Sequence, residues 1–289
     1  MHYLRSIAIN NMSTNPSQIR RALSAYYEPG EAAALSRIVC TELLGQSQTD
    51  YFLCKDIELS GNQEEKLQTI LQRLAHFEPI QYIQGYTLFL SRPFCVSPAV
   101  LIPRPETEEL VQRIVAETGA GASVLDVGTG SGCIAISLAL ELPQAQVEAW
   151  DVSLEALEVA QGNAERLGAQ VDFRLLDVLT FRPEGEGLFD VIVSNPPYVL
   201  ERERAEMEPN VVAYEPALAL FVPDEDPLLF YRRIGELGRH LLRPGGRLYF
   251  EINRTQGAAL KALHEAQGYR DVTIYQDISH NDRIIKALL

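Results

Sequence analysis

The sequence has little cysteine: four residues in 289, namely Cys40, Cys54, Cys95 and Cys133, none of them in a Cys-x-x-Cys pair. Its five histidines include no His-Glu-x-x-His spacing. Scattered residues of these two types are not typical of a disulfide framework or a zinc site. We therefore expect reduced, buried thiols and no bound metal.

Long uncharged apolar runs are also missing, although 46% of the residues are apolar. Nothing in the sequence therefore predicts a membrane-spanning helix. The first residues, through Asn15, lack an apolar core followed by a small-residue cleavage site, and so do not resemble a secretory signal. We expect a cytoplasmic protein that does not associate with a membrane.

The sequence has few basic residues: 25 Lys and Arg compared with 39 Asp and Glu, which gives a formal net charge of −14. Proteins that grip DNA or RNA usually need a basic face, since neutralising phosphates supplies much of the binding free energy. The acidic balance therefore favours a partner of basic character over bare nucleic acid. We expect no direct nucleic-acid partner, and a monomer.

The length exceeds that of a typical domain of about 100–200 residues, which predicts two domains. Apolar residues recur at helical spacing from Pro16 to Phe77, with Ser17 as a candidate cap of the first helix and a later helix over Glu64–His76. Strand-type residues between Tyr82 and Val96 indicate a hairpin. We expect a helical domain over residues 1–85, a linking β-hairpin over 86–105 and a further domain over 106–289.

From residue 123 onward the pattern changes to alternating strands and helices. The predicted strands are Ser123–Val127, Gln146–Trp150, Val171–Leu175, Phe189–Ser194 and Arg247–Ile252. Alternation of this kind predicts a mainly parallel sheet with helices on its faces and a ligand at the carboxyl ends of the strands. The expected fold class is α/β, of the Rossmann-like type.

The first of these strands runs into a glycine-rich turn made of Gly128, Thr129, Gly130, Ser131 and Gly132. Glycines let the main chain turn tightly and approach a ligand closely. Asp151, at the end of the second strand, is placed to accept bonds from ribose hydroxyls, since Ser153 is available to cap the helix that follows. After the third strand, Asp177 is a candidate acceptor for an adenine amino group, with Val178 as an apolar wall. Together these residues predict a nucleotide-type cofactor.

The fourth strand delivers Asn195-Pro196-Pro197-Tyr198 to the same edge of the sheet. The Asn195 side-chain oxygen and the Pro196 carbonyl are suited to accept the two N–H groups of a planar –NH2, and Tyr198 to pack against that group. The prolines hold the turn extended and offer no N–H of their own. The glycine spacing fits a methyl donor better than NAD, so we predict S-adenosylmethionine as cofactor and an amide-type nitrogen as acceptor. Glutamine and adenine both fit at this point.

The whole chain resembles the HemK/PrmC family of protein-glutamine methyltransferases, which modify peptide chain release factors. Besides the two turns above, the segments that carry the resemblance are Pro79–Gly85, Leu101–Glu108, Glu215–Leu220 and Asn281–Arg283. The resemblance implies a class I methyltransferase domain with a seven-stranded sheet, and release of S-adenosylhomocysteine. It also implies that the acceptor is the glutamine of a Gly-Gly-Gln loop and that the N-terminal helical domain helps to hold the release factor.

By the same resemblance, Asn195 to Tyr198 would take the glutamine. Gly128 to Gly132, Asp151, Asp177, Val178 and Asn195 would hold the cofactor. The chain departs from the family pattern at Phe221–Asp226, where many members have glycines, and at His280, where small residues are common. The alternatives that remain are an adenine amino methyltransferase and a cofactor-binding module without turnover.

Overall fold

A computed structural model describes residues 13–183 and 185–289. Most of the segment for which we expect no secretory signal, residues 1–12, lies outside the described residues. The chain divides into two compact units. One runs to Gly85 and includes Pro209–Tyr214, and the other consists of Tyr86–Glu208 and Glu215–Leu289. No helix among the described residues is both long enough and apolar enough to cross a bilayer.

The first unit is built from helices around its own apolar core. Its helices are Pro16–Leu23, Pro29–Ile38, Gln48–Phe52, Gly61–Ala75, Ile80–Gln84 and Pro209–Tyr214, with a π-helical turn at Val39–Leu43 and a two-stranded pairing of Ser13–Thr14 with Ile57–Glu58. The first helix is capped by Asn15, whose side chain accepts from Gln18 N, and not by Ser17 as the sequence suggested. Ile19, Leu67 and Leu71 are fully or almost fully buried. The helical prediction for this region is confirmed.

The predicted hairpin is present but begins later than the apolar pattern indicated. Its strands are Tyr86–Phe89 and Arg92–Cys95, paired antiparallel. The residues just before it, which looked strand-like, form the helix Ile80–Gln84, and Gly85 ends this helix in the left-handed conformation with φ 82°. Both hairpin strands belong to the second unit.

The second unit contains a seven-stranded sheet, whose strands we label β1 to β7 along the chain. They are β1 Ser123–Val127, β2 Gln146–Asp151, β3 Asp172–Leu175, β4 Phe189–Ser194, β5 Leu242–Glu251, β6 Arg270–Gln276 and β7 Asp282–Leu288. The spatial order is β6-β7-β5-β4-β1-β2-β3. All neighbouring pairs are parallel except those of β7, which is antiparallel to both β5 and β6. The predicted Rossmann-like α/β fold with a mainly parallel seven-stranded sheet is confirmed.

Helices cover both faces of this sheet. The longer ones are Pro105–Glu117, Cys133–Glu141, Leu154–Leu167, Leu229–Leu241 and Gly257–Ala266; shorter elements are the 3-10 turn Glu201–Glu206, the helix Ala217–Leu220 and the paired segments Val199–Leu200 and Phe221–Val222. Alternate residues of a strand point to opposite faces. In β4, Val191 and Val193 join one apolar cluster and Ile192 joins the other. The sheet is therefore buried on both faces, which leaves its carboxyl edge as the place for a site.

Strand register aligns the predicted site residues at that edge. Val127 pairs with both Trp150 and Ser194, and Ser194 pairs with Phe250. Gly128, Asp151, Asn195 and Glu251 each follow one of these residues, so all four leave the sheet at the same level. Register also explains why residues far apart in sequence share one site.

The cysteine prediction is only partly correct. All four cysteines are free thiols, and Cys40 and Cys133 are buried. Cys54, however, is exposed, and Cys95 is half-buried in the hairpin. Cys54 lies in the turn after the helix Gln48–Phe52, with a φ of 50°.

Candidate active site

The glycine-rich turn after β1 adopts a backbone that other residues rarely take. Gly128, Gly130 and Gly132 have φ values of 75°, 54° and 80°. A Cβ on Gly132 would lie 2.7 Å from Ile136 Cδ1 and 3.1 Å from Ala160 Cβ. Glycine at position 132 is therefore required both by backbone conformation and by close packing against the helix Leu154–Leu167.

A buried carboxylate braces this turn from behind. Asp126, in β1, is fully buried and accepts a 2.7 Å bond from Thr129 Oγ1 and a 3.2 Å bond from Ala135 N. Its other oxygen, Oδ1, has no partner in the described residues. Burial raises the pKa of the Asp126 carboxyl to about 7, and the negative charge of Asp151 adds to the shift. Asp126 ties the turn to the helix that follows it.

Asp151 lies at the end of β2 with its carboxylate held by the main chain. Its Oδ2 accepts from Gly130 N at 2.8 Å and its Oδ1 from Ser153 N at 2.9 Å. Ser153 caps the next helix by accepting from Ala156 N. The Ser153 cap is as predicted. Asp151 keeps lone pairs for a ligand because a carboxylate has about four acceptor positions, and its contact with ribose hydroxyls stays a prediction.

Asp177 and Val178 follow β3 and face the same space. Asp177 accepts from Leu179 N at 2.9 Å and from Thr180 Oγ1 at 3.2 Å, which orients its carboxylate. Val178 is buried. Close by, Trp150 and Phe181 pack edge to face with ring centroids 4.9 Å apart. This corner combines a fixed acceptor with an apolar wall, as the recognition of a flat heterocycle requires.

The Asn195–Tyr198 turn is anchored to the sheet just before it begins. Ser194 is fully buried and its hydroxyl donates to the Val127 carbonyl at 2.6 Å. Asn195 is half-buried, and its Nδ2 lies 3.5 Å from Thr107 Oγ1. Tyr198 packs against the apolar cluster, and its hydroxyl lies 3.4 Å from Glu251 Oε1. The turn therefore rests on side chains that come from other parts of the unit.

Behind this turn lies a buried polar cluster that the sequence did not single out. Glu251, at the end of β5, is 1% exposed and accepts a 2.6 Å bond from Thr107 Oγ1. Burial raises the pKa of Glu251, while the Thr107 bond and the charge of Arg283 act to lower it. Arg283 is itself held by a 3.1 Å bond to Asp277. Glu251 could have been predicted as a site residue, because it is an acidic residue at the carboxyl end of an apolar strand.

Two segments that carry the family resemblance contact each other beside the site. Arg104 forms a 2.5 Å ion pair with Glu215, whose side chain is almost fully buried. The same carboxylate accepts from Ile102 N at 3.3 Å. The segments around residues 101–107 and 215–219 are thereby joined by one carboxylate.

These elements enclose one cavity of the second unit. Of the predicted site residues it is lined by Gly128, Thr129, Gly130, Ser131, Asp151, Asp177, Val178, Asn195, Pro196 and Pro197. Residues that line it without having been predicted include Val100, Leu101, Pro103, Arg104, Thr107, Trp150, Leu176, Pro216, Leu218, Phe230 and Ile234. Gly132 and Tyr198, which were also predicted, do not line the cavity. Gly132 packs against the helix Leu154–Leu167, and Tyr198 packs against an apolar cluster. The apolar additions at 101–103 and 216–218 lie in segments that carry the family resemblance, whereas Trp150 in β2 and Phe230 and Ile234 in a later helix have no such signature.

The cavity has two sides. The turn side is lined by Gly128–Ser131, Asp151 and Asp177, with Gly132 behind them. The amide side is lined by Asn195–Pro197 and Thr107, with Tyr198 and Glu251 behind them. The turn side offers carboxylates and a close backbone approach, as a nucleotide-bearing ligand needs. The amide side offers an oriented side-chain amide next to the Pro196 carbonyl.

Two family models match the chain. Residues 17–85 match the PrmC N-terminal domain and residues 105–213 match the methyltransferase small domain. The crystal structure of a methyltransferase from Pyrococcus furiosus superposes with a TM-score of 0.51 at 18% identity, covering 79% of this chain and 98% of that one. At this identity the likeness concerns the fold alone.

Curated relatives match over nearly the full length. The release factor glutamine methyltransferase of Bacteroides thetaiotaomicron is 53% identical over 96% of this chain and 99% of the relative. That of Flavobacterium psychrophilum is 43% identical over 94% and 96%, respectively. With identity this high across both units, the chain belongs to the release factor glutamine methyltransferase family.

Proposed function

We propose that this protein transfers a methyl group from S-adenosylmethionine to the side-chain amide nitrogen of the glutamine in the Gly-Gly-Gln loop of a peptide chain release factor. The observation that carries the proposal is the cavity in which Asn195, Pro196 and Pro197 meet Asp151 and the glycine-rich turn. Relatives that carry this activity in their names, at 53% and 43% identity, support the same substrate.

The turn side fits S-adenosylmethionine by the chemistry of its donors and acceptors. Asp151 is pre-oriented by two main-chain N–H groups and would accept from the ribose hydroxyls. Asp177 and Val178 would hold the adenine, and the open main chain at Gly128 and Gly130 would admit the rest of the ligand. When bound, S-adenosylmethionine supplies an electrophilic methyl group on a sulfonium.

The amide side would hold the acceptor. A glutamine amide nitrogen is a poor nucleophile because its lone pair is delocalised into the carbonyl, so the task of the protein is alignment. Asn195 Oδ1 and the Pro196 carbonyl would each accept one N–H and direct the nitrogen at the methyl group. The nitrogen gains a carbon bond as the sulfonium loses one, and the proton leaves to water afterwards. This sequence requires no general base from the protein.

Substrate binding and catalysis would belong to different parts of the chain. We assign binding of the release factor to the helical domain over residues 1–85, the link to the β-hairpin region over 86–105, and catalysis to residues 106–289. The partner would be a release factor and not nucleic acid. The protein would act as a monomer in the cytoplasm, where translation termination takes place.

The test is a methyl-transfer assay with labelled S-adenosylmethionine and three separate acceptors: release factor, DNA and RNA. We expect label in the release factor alone, and mass spectrometry should place one added methyl group on the glutamine of its Gly-Gly-Gln peptide. A release factor in which this glutamine is replaced by glutamate is the matched control and should stay unlabelled. Label that appears only in nucleic acid would refute the proposal in favour of an adenine methyltransferase.

A further inference from the structure

Thr107 connects the Asn195 amide to the buried Glu251 carboxylate. It lies in the first turn of the helix Pro105–Glu117 and is 2% exposed, yet it also lines the cavity. Its Oγ1 is 2.6 Å from Glu251 Oε2 and 3.5 Å from Asn195 Nδ2. One hydroxyl oxygen therefore lies between the two groups.

The direction of these hydrogen bonds follows from counting protons. A threonine hydroxyl has one proton and two lone pairs, and an ionised carboxylate only accepts. The short bond to Glu251 uses the single proton of Thr107. Towards Asn195 the hydroxyl is left with lone pairs alone, so it accepts, and the part of Asn195 that faces it is the –NH2 group.

A side-chain amide carries its oxygen and nitrogen on opposite branches of one plane, so fixing one branch fixes the other. If the Asn195 amide were flipped, its oxygen would face a hydroxyl oxygen that has no proton to give, and the hydrogen bond to Thr107 would be lost. We propose that Thr107 is a positioning residue that holds Asn195 Nδ2 and so turns Asn195 Oδ1 towards the nitrogen to be methylated. This inference rests on the proposed function.

Burial raises the pKa of Glu251 and the charge of Glu106 adds to the shift, whereas the bonds from Thr107 and Tyr198 and the charge of Arg283 favour the ionised, accepting carboxylate. The Tyr198 hydroxyl lies 3.4 Å from the second oxygen of Glu251, Oε1. Arg283, whose positive charge favours the ionised carboxylate, is held by Asp277, and Asp277 in turn accepts from the main-chain N–H groups of Ser279 and Asn281. With Glu251 ionised, the cluster holds the Thr107 proton on the side away from Asn195.

The experiment measures single-turnover methyl transfer to the release factor, together with the Kd for S-adenosylmethionine. Thr107→Val keeps the shape of the side chain and removes the hydroxyl. We expect a methyl-transfer rate about 10–100-fold lower, since small misplacements of an aligning group cost this much. The cofactor Kd should change by less than about threefold. Thr107→Ser restores the hydroxyl and should recover most of the rate, which a purely packing role would not explain.

A double-mutant cycle separates positioning of Asn195 from a general effect on Glu251 or Tyr198. If Thr107 acts through Asn195, adding Thr107→Val to Asn195→Ala should change the remaining rate by less than about threefold. The matched control is Thr273→Val, at an exposed strand threonine that bonds only the nearby Asp271 carbonyl among the contacts described, and it should leave the rate unchanged.

Two results would overturn the inference: a wild-type rate in Thr107→Val, or an equal loss from that substitution in both backgrounds. Thermal unfolding of each variant ensures that all rates are measured on folded protein. Failure of the wild-type protein to methylate the release factor would refute the proposed function. Failure of the inference about Thr107 would show only in the variants, with the wild-type protein active.

Discussion

The two sides of the cavity are built by different means. On the turn side the acceptors are held by main-chain N–H groups close in sequence: Gly130 N and Ser153 N reach Asp151 across 21 and 2 positions. On the amide side the groups are side chains from distant segments, since Asn195 and Thr107 are 88 positions apart and Thr107 and Glu251 are 144 apart.

The difference in construction implies a difference in function. A main-chain donor cannot be lost by substitution of its own side chain, so the turn side is robust and suited to a cofactor that has one shape. The amide side depends on individual hydroxyl, amide and carboxyl groups. We therefore expect substitutions on the turn side to change cofactor affinity or stability, and substitutions on the amide side to change the rate of the chemical step.

The largest effect should come from Asn195→Ala. Removing the acceptor that aligns the substrate nitrogen should lower the single-turnover rate about 100–1,000-fold, the range for loss of one preorganised hydrogen-bonding group in an active site. Isothermal titration should find the Kd for S-adenosylmethionine within a few-fold of the wild-type value. An unchanged rate would refute the amide-side role, and a loss confined to cofactor affinity would move Asn195 to the turn side of the comparison.

Asp151→Ala should show the opposite pattern. Loss of two bonds from ribose hydroxyls to a carboxylate should weaken S-adenosylmethionine binding about 100-fold. The rate at saturating cofactor should stay within about tenfold of the wild-type rate, because the amide side is intact. Measuring Kd and rate on the same preparation tests the comparison directly. A fall in rate that saturating cofactor does not repair would contradict it.

The difference between the two sides also explains which site residues could be predicted from the sequence. The positions of the turn-side residues at the cavity were predictable almost residue by residue, because the glycines, Asp151 and Asp177 each follow a strand. Asn195 to Pro197 were predictable for the same reason. The grouping of Thr107, Glu251 and Arg283 was not predictable, although Thr107 and Arg283 lie in segments that carry the family resemblance, because it depends on strand register and on a helix that begins far away in sequence. The helix at Ile80–Gln84 was missed because strand-type residues there pack within a helical unit, where tertiary contacts override local preference.

Asp126→Asn should gain stability relative to wild type as the pH rises. The folded-state pKa of Asp126, about 7, lies above the unfolded value, so its contribution to stability is complete below about pH 4 and is lost as the pH rises through about 7. Asparagine avoids this loss, and its side-chain oxygen can still accept from Thr129 and Ala135. Its –NH2 group takes the place of the unpartnered Oδ1, and a buried donor without an acceptor costs about 1–3 kcal/mol at every pH. Denaturant unfolding should show that the stability difference between the two proteins moves in favour of the variant as the pH rises from 4 to 7, by about 4 kcal/mol at most.

A matched control for that measurement is Asp190→Asn, in β4. Burial acts to raise the pKa of Asp190, but bonds from Ser123 N and Arg243 outweigh it and hold the pKa below its usual value. Its stabilising contribution is therefore present at neutral pH and lost as the pH falls, so this variant should be less stable than wild type at pH 7 and should approach it in acid. If the stability of both variants relative to wild type changed with pH in the same direction, Asp126 would not have the raised pKa that its burial implies.

The smallest effect should come from Pro197→Ala. Glycines shape the turn side by allowing positive φ, whereas prolines shape the amide side by restricting it, since Pro197 biases Pro196 towards an extended backbone. Alanine should cost about 0.4–1 kcal/mol of stability through the greater freedom of the unfolded chain. It should also slow methyl transfer by less than about tenfold, because the Pro196 carbonyl remains but is less firmly held. Pro143→Ala is the control: Leu142 before it is likewise extended, with φ −96° and ψ 112°, and it lies outside the cavity lining. It should cost similar stability and leave the rate unchanged, and an equal rate loss in both variants would show that the amide side does not depend on its prolines.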